Sequence, residues 1–214
     1  MLPNPIIVVG VGRSGTSITA KILHELGVFM GNTFVPPDDT NPDGFYEDIE
    51  FMFLNRFKAE EGKNVKDVDW YEQVIPLIKR RHEYALKNNI RWGFKSPHTS
   101  ELLAYYTRLV PDAQWIFCDR RRIDLIESLV QTYSISTTTA ENIIQQRIYN
   151  IRRFLSGKYH KVPLEELKKH PEVEIQRLCK FIGVEYKDLS SIVRKEKTCR
   201  RKGMILKAES VVTS

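Results

Sequence analysis

Two rhythms of apolar positions run along the chain. Residues 5–9, Pro-Ile-Ile-Val-Val, form an unbroken apolar, β-branched run that ends in glycines. Such a run predicts a strand buried on both faces, as in a parallel sheet. Farther on, Ile18, Ile22, Leu23 and Leu26 recur on one helical face, and Gly27 supplies a stop. The first thirty residues therefore read as strand, glycine loop and helix. Residues 31–48 are rich in Pro, Asp, Asn and Gly and predict a long exposed loop, of a length more often functional than idle. The span 49–90 reads as helical, with a polar interruption near 60–69. Strands are predicted at 91–95, 113–119 and 158–163, and helices at about 100–109, 123–133, 140–155 and 171–182. This alternation predicts an α/β fold with a mostly parallel sheet, in one domain over 1–214 whose last dozen residues are expected to be poorly ordered. There is no internal repeat.

Composition narrows this only a little. The chain has 214 residues, 42% hydrophobic and 28% charged, which fits one folded domain with a sizeable core. A formal net charge of +6 favours an anionic partner without naming it. Cys118, Cys179 and Cys199 have neither paired nor metal-ligand spacing, so unpaired thiols in a reducing compartment are expected. No signal peptide and no apolar stretch of membrane-spanning length is visible, and a cytoplasmic location is expected.

The chemistry concentrates in residues 10–17, Gly-Val-Gly-Arg-Ser-Gly-Thr-Ser. Gly10 and Gly15 have the spacing of a phosphate-binding loop between strand and helix. There, convergent backbone N–H groups and a helix N-terminus grip an anion. A nucleoside triphosphate site would next require Gly-Lys-Ser/Thr, but Gly15 is followed by Thr16 and Ser17, and the cation is Arg13 inside the loop. Without the lysine, γ-phosphoryl transfer would be poorly served. A sulfuryl-ended donor asks only for hydroxyls, amides and one cation, with no obligatory metal.

Residues 8–17 resemble the 5′-phosphosulfate loop of sulfotransferases that use 3′-phosphoadenosine-5′-phosphosulfate (PAPS), enzymes with a P-loop kinase fold of three layers. The resemblance implies that Gly12, Arg13, Ser14, Gly15, Thr16 and Ser17 hold the 5′-phosphosulfate. Residues 115–128 extend it. Arg120 at the end of a strand and Ser128 eight positions later match the family's pair for the donor's 3′-phosphate. Arg201, Lys202 and Gly203 are similar to a segment that closes over the same phosphate in cytosolic members, although the tryptophan segment usual downstream is missing. A rival reading makes 115–119 a Walker B strand with Asp119 on Mg²⁺. In all, the resemblance spans roughly residues 5–186.

Candidates for the proton transfer come from two segments. Residues 41–48, Asn-Pro-Asp-Gly-Phe-Tyr-Glu-Asp, resemble an Asn-Pro-x-Gly-x-aromatic-Glu stretch of bacterial-type members, with Glu47 as base. In Gly93-Phe-Lys-Ser-Pro-His98, Lys95 is the expected cation beside the transferred group. His98 is a second candidate base, in a register shifted by the proline. The expectation is a PAPS-dependent sulfotransferase acting on a hydroxyl of a carbohydrate or small metabolite, with no nucleic-acid partner. The alternatives are a P-loop small-molecule kinase and a non-catalytic nucleotide- or RNA-binding module.

Overall fold

The computed structural model describes residues 4–61 and 66–194. Strand β1 is Ile6–Gly10 and helix α1 is Thr16–Glu25, joined by the glycine loop. Helices α2 (Ile49–Glu61) and α3 (Asp67–Lys87) precede β2 (Gly93–Lys95) and a 3-10 turn at Pro97–Ser100. Then come α4 (Leu103–Leu109), β3 (Gln114–Asp119), α5 (Arg122–Tyr133) and α6 (Thr137–Leu155). The chain continues with β4 (His160–Pro163), α7 (Leu164–Lys169) and α8 (Pro171–Ile182), and is helical again over 190–194.

The four strands pair in the order β2-β1-β3-β4, all parallel. Side chains alternate across the sheet, so each strand feeds two cores. Ile6 and Val8 pack with Ile116, Cys118 and Val162 against α1, α7 and α8. Ile7 and Val9 pack with Phe94, Trp115 and Phe117 against α2, α3, α4 and α6. The result is a three-layer α/β domain. Burying each of these aliphatic and aromatic side chains contributes roughly 1.5–3 kcal/mol, which is why the double-sided apolar run at β1 defines the centre of the fold. A third, smaller cluster joins Val11 of the loop to Leu125 and Leu129 of α5 and Ala140 and Ile144 of α6. The apolar residue between the loop's first two glycines is thus an anchor.

Most expected elements are present, with informative differences. The 49–90 span is two helices. The stretch expected as one helix from about 100 is a 3-10 turn, started by Pro97, followed by α4. Helix α6 begins at Thr137, ahead of the expected 140, because Ser136 caps it by accepting from Thr139 N at 3.1 Å. Helix α7 has no counterpart among the expected elements; its six residues are too few for a readable period. In the 31–48 loop, antiparallel bridges pair Phe34 with Asp48 and Asp38 with Asn41. Arg201, Lys202, Gly203 and the chain end expected to be poorly ordered lie outside the described residues.

Candidate active site

Because the strands are parallel, their C-terminal ends share one edge, where α/β sheets bind ligands. Gly10 stands opposite Cys118, Val8 opposite Lys95, and Asp119 leads into Arg120. The loop 11–15, Lys95 and Arg120 therefore meet at this edge, although distant in sequence.

The loop's conformation explains its composition. Arg13 (φ 73°) and Gly15 (φ 95°) are both left-handed, which curls the chain so that α1 begins at Thr16. A Cβ on Gly15 would come within 2.8 Å of Leu164 Cδ1, so close packing adds to the backbone requirement. Ser14 N donates to Val11 O at 3.1 Å, closing the turn. Ser100 then clamps its base, accepting from Gly10 N and donating to Gly10 O, each at 3.1 Å. The Ser14 hydroxyl is buried with no hydrogen-bond partner. A buried hydroxyl left in that state is costly unless a ligand completes it.

Arg13, Arg120 and Ser128 come together on one flank. Arg13 Nε donates to Ser128 Oγ at 3.3 Å and another of its nitrogens to Thr40 O at 3.0 Å, while Arg120 donates to Arg13 O at 3.0 Å. Two guanidinium groups and a helix-borne hydroxyl thus gather beside the anion loop, a donor set suited to phosphate oxygens.

On the Ser17 side lies a buried ion pair. Lys95 Nζ is 2.5 Å from Glu47 Oε1, with 1% and 9% of the two side chains exposed, and also donates to Ser17 Oγ at 3.3 Å. Burial pushes the Lys95 ammonium down from the usual lysine range, and the adjoining Glu47 charge works against that. Glu47 is placed by its neighbours. Val35 N donates to Glu47 O at 2.9 Å, and next in sequence Asp48 pairs with Arg81 at 2.8 Å. Burial raises the Asp48 carboxyl, with Arg81 opposing. Asn41 donates to both Ser17 Oγ and Gly44 O, folding the acidic segment onto the loop.

His98 is in the turn that carries Ser100. Its Nδ1 is 3.6 Å from Glu101 Oε2, and the same carboxylate meets Arg147 at 2.6 Å. A Cβ on Gly12 would lie 3.6 Å from the Tyr133 hydroxyl and 4.0 Å from an Arg147 nitrogen. Of the expected site residues within the described chain, Lys95, Arg120 and Ser128 meet the segment from Gly12 to Ser17 directly and Glu47 joins it through Lys95, whereas His98 is connected to it through the neighbouring Ser100. The sequence reading missed Ser100, Glu101, Tyr133 and Arg147, which carry no spacing signal and reach the loop only through the packing of α4, α5 and α6.

A parallel three-layer α/β sheet with a glycine loop, hydroxyls and cations at its C-terminal edge is a P-loop-type fold. Residues 5–188 match the sulfotransferase family, and the chain belongs to that family. Sulfuryl transfer is the chemistry of the family. The fold is similar to the sulfotransferase domain from the curacin biosynthetic pathway, with TM-score 0.56 and 19% identity over 87% of this chain and 76% of that one. It is likewise similar to sulfotransferase STF9 from Mycobacterium avium, with TM-score 0.58 and 12% identity over 91% and 68% of the two chains. Mouse sulfotransferase SULT7A1 complexed with PAP gives TM-score 0.52 and 13% identity over 90% of this chain and 64% of that one. Among the described residues no helix is long and apolar enough to cross a membrane.

Proposed function

We propose that the protein transfers a sulfuryl group from 3′-phosphoadenosine-5′-phosphosulfate to a hydroxyl of a carbohydrate or other small metabolite. The observation that carries this reading is the gathering of Arg13, Arg120 and Ser128 beside a loop that lacks the Walker lysine. A donor with a second, 3′-phosphate has a use for that extra cluster, whereas ATP has none. The buried, unpartnered Ser14 hydroxyl suits a bound phosphosulfate. The complex of the mouse relative with PAP lends the same support.

In this reading the loop amides with Ser14, Thr16 and Ser17 hold the 5′-phosphosulfate, and Arg120 with Ser128 holds the 3′-phosphate. The acceptor oxygen attacks sulfur in line, the S–O bond to the 5′-phosphate breaks, and adenosine 3′,5′-bisphosphate leaves. Lys95, next to Ser17, steadies charge on the leaving bridge oxygen. The proton of the acceptor passes to Glu47 or to His98.

Calorimetry with adenosine 3′,5′-bisphosphate and with ATP, each with and without Mg²⁺, tests the donor. Tight, metal-independent binding of the bisphosphate is expected. Binding of ATP with Mg²⁺ and none of the bisphosphate would overturn the proposal in favour of a kinase.

A further inference from the structure

Helix α6 carries a stripe of polar side chains along its outer face. Asn142, Gln145, Gln146, Tyr149, Arg152 and Arg153 are all exposed and recur at intervals of three and four residues, so they lie on one side of the helix. At the helical rise of 1.5 Å per residue the stripe is about 16 Å long. It contains cations but no carboxylate; Glu141, at its edge, stands 3.9 Å from Arg122 of α5. Tyr149 is 56% exposed, yet its ring is held in place. Arg153 donates to its hydroxyl at 2.9 Å, and the Arg153 guanidinium lies 5.8 Å from the centre of the Tyr149 ring and 5.4 Å from that of Phe154. Tyr149 lines two adjoining hollows. Asn142, Gln145 and Gln146 line one of them; Arg122, Gln145, Ile148 and Arg152 line the other. Neither Arg122 nor Arg152 has a hydrogen-bond partner among the described residues.

We propose that this stripe is a docking surface for an acidic oligosaccharide chain. Each part of the surface has a use in such a ligand. The face of a fixed aromatic ring takes the C–H face of a sugar, and its being fixed beforehand lowers the cost of ordering it on binding. Asn and Gln side chains both donate and accept, which suits a ring of hydroxyls. The two guanidinium groups suit carboxylate or sulfate oxygens. A chain of phosphates would use only the cations, and an apolar partner only the ring. The net charge of +6 has the same sign as the patch and steers an anionic chain towards it. Arg122 follows Arg120 by two residues, so the surface begins beside the strand end that carries the reaction edge. In the sulfuryl-transfer reading, an acceptor chain docked here is held close to the donor, but the docking itself does not rest on that reading.

Calorimetry of the full chain with three probes tests this: a uronate-bearing hyaluronan hexasaccharide, neutral maltohexaose and the RNA hexauridylate. Saturable binding of the hyaluronan hexasaccharide is expected, tighter than that of the other two. Tyr149→Ala, and separately Arg122→Ala with Arg152→Ala, should each weaken it roughly tenfold. Tyr149→Phe, which keeps the ring but loses the bond from Arg153, should fall between Tyr149→Ala and the parent. The replaced side chains are exposed, so melting temperatures should stay near that of the parent. Absence of binding, or an affinity unchanged in Tyr149→Ala, would overturn the proposal. Tighter binding of hexauridylate would also overturn it, in favour of a nucleic-acid surface. Adenosine 3′,5′-bisphosphate should bind Tyr149→Ala as it binds the parent; its failure to bind the parent would reject the donor assignment and leave the docking result standing.

Discussion

Lys95 and Glu47 meet at 2.5 Å in the interior, the lysine brought by the end of β2 and the glutamate by a loop nearly fifty residues earlier in the sequence. Their contact ties the acidic segment to the sheet edge beside Ser17. A buried pair of this kind costs little while intact and much when one partner is removed. Lys95→Met should therefore destabilise the protein by about 3–5 kcal/mol, and adding Glu47→Gln should restore a large part of that. Urea unfolding of the single and double variants measures the coupling; strictly additive losses would mean that the pair is not coupled.

Gly93 is required by backbone contact. A Cβ there would lie 2.1 Å from Ile6 O, an atom of the neighbouring strand that no rotamer change can move. Gly93→Ala should force β2 from β1 and lower the melting temperature sharply. At Gly15 the obstacle is the Leu164 side chain, which can yield, so Gly15→Ala should fold with a loss of about 1–2 kcal/mol from the left-handed backbone. Thermal melts of the two variants should rank them in that order.

Ser14 should separate stability from binding. Its hydroxyl is buried without a partner, so Ser14→Ala should leave the unliganded protein as stable as the parent or slightly more stable. If the loop holds the phosphosulfate, the same variant should bind adenosine 3′,5′-bisphosphate roughly tenfold more weakly, the value of one hydrogen bond to a charged group. Melting temperature and calorimetry together read both effects.

Arg120→Ala should weaken adenosine 3′,5′-bisphosphate by roughly tenfold to a hundredfold, as expected for a lost charge-assisted contact, and leave 5′-AMP nearly unaffected. Equal losses for the two ligands in parallel titrations would reject the 3′-phosphate assignment.

Glu101 gives a pH window. Burial alone would raise its carboxyl, but His98 and Arg147 outweigh burial and hold it below the usual 4.5. A carboxyl depressed in the folded state contributes stability that is present above the unfolded value and is lost as pH falls through the folded one. Arg147→Gln removes part of that contribution. The difference in urea midpoint between parent and variant should therefore be largest above pH 4.5 and shrink on acidification. A gap that widens on acidification would show that Arg147 does not stabilise the Glu101 anion.

The sheet's centre, the loop and α1 were legible because each rests on local chemistry. A β-branched run can only be buried, glycines allow the left-handed turn, and an apolar stripe of helical period follows. Arg120 and Ser128 were singled out by the family resemblance of residues 115–128, and the structure brings both against Arg13. The split between α2 and α3, the 3-10 turn at Pro97 and the six residues of α7 were less so, since short or interrupted elements carry too few periods to read.

The sequence by itself thus determined the glycine loop, its missing lysine and the double-sided strand beneath it. The tertiary structure alone decided which residues share that loop. Lys95 meets Glu47, Ser100 clamps Gly10, and Arg147 meets Glu101. Each contact joins elements far apart in the chain, because parallel strands bring their C-terminal ends to one edge and helix packing chooses the side chains that face it. Periodicity records which face of an element is buried, but not against which partner, and it is the partner that gives the glycine loop its chemistry.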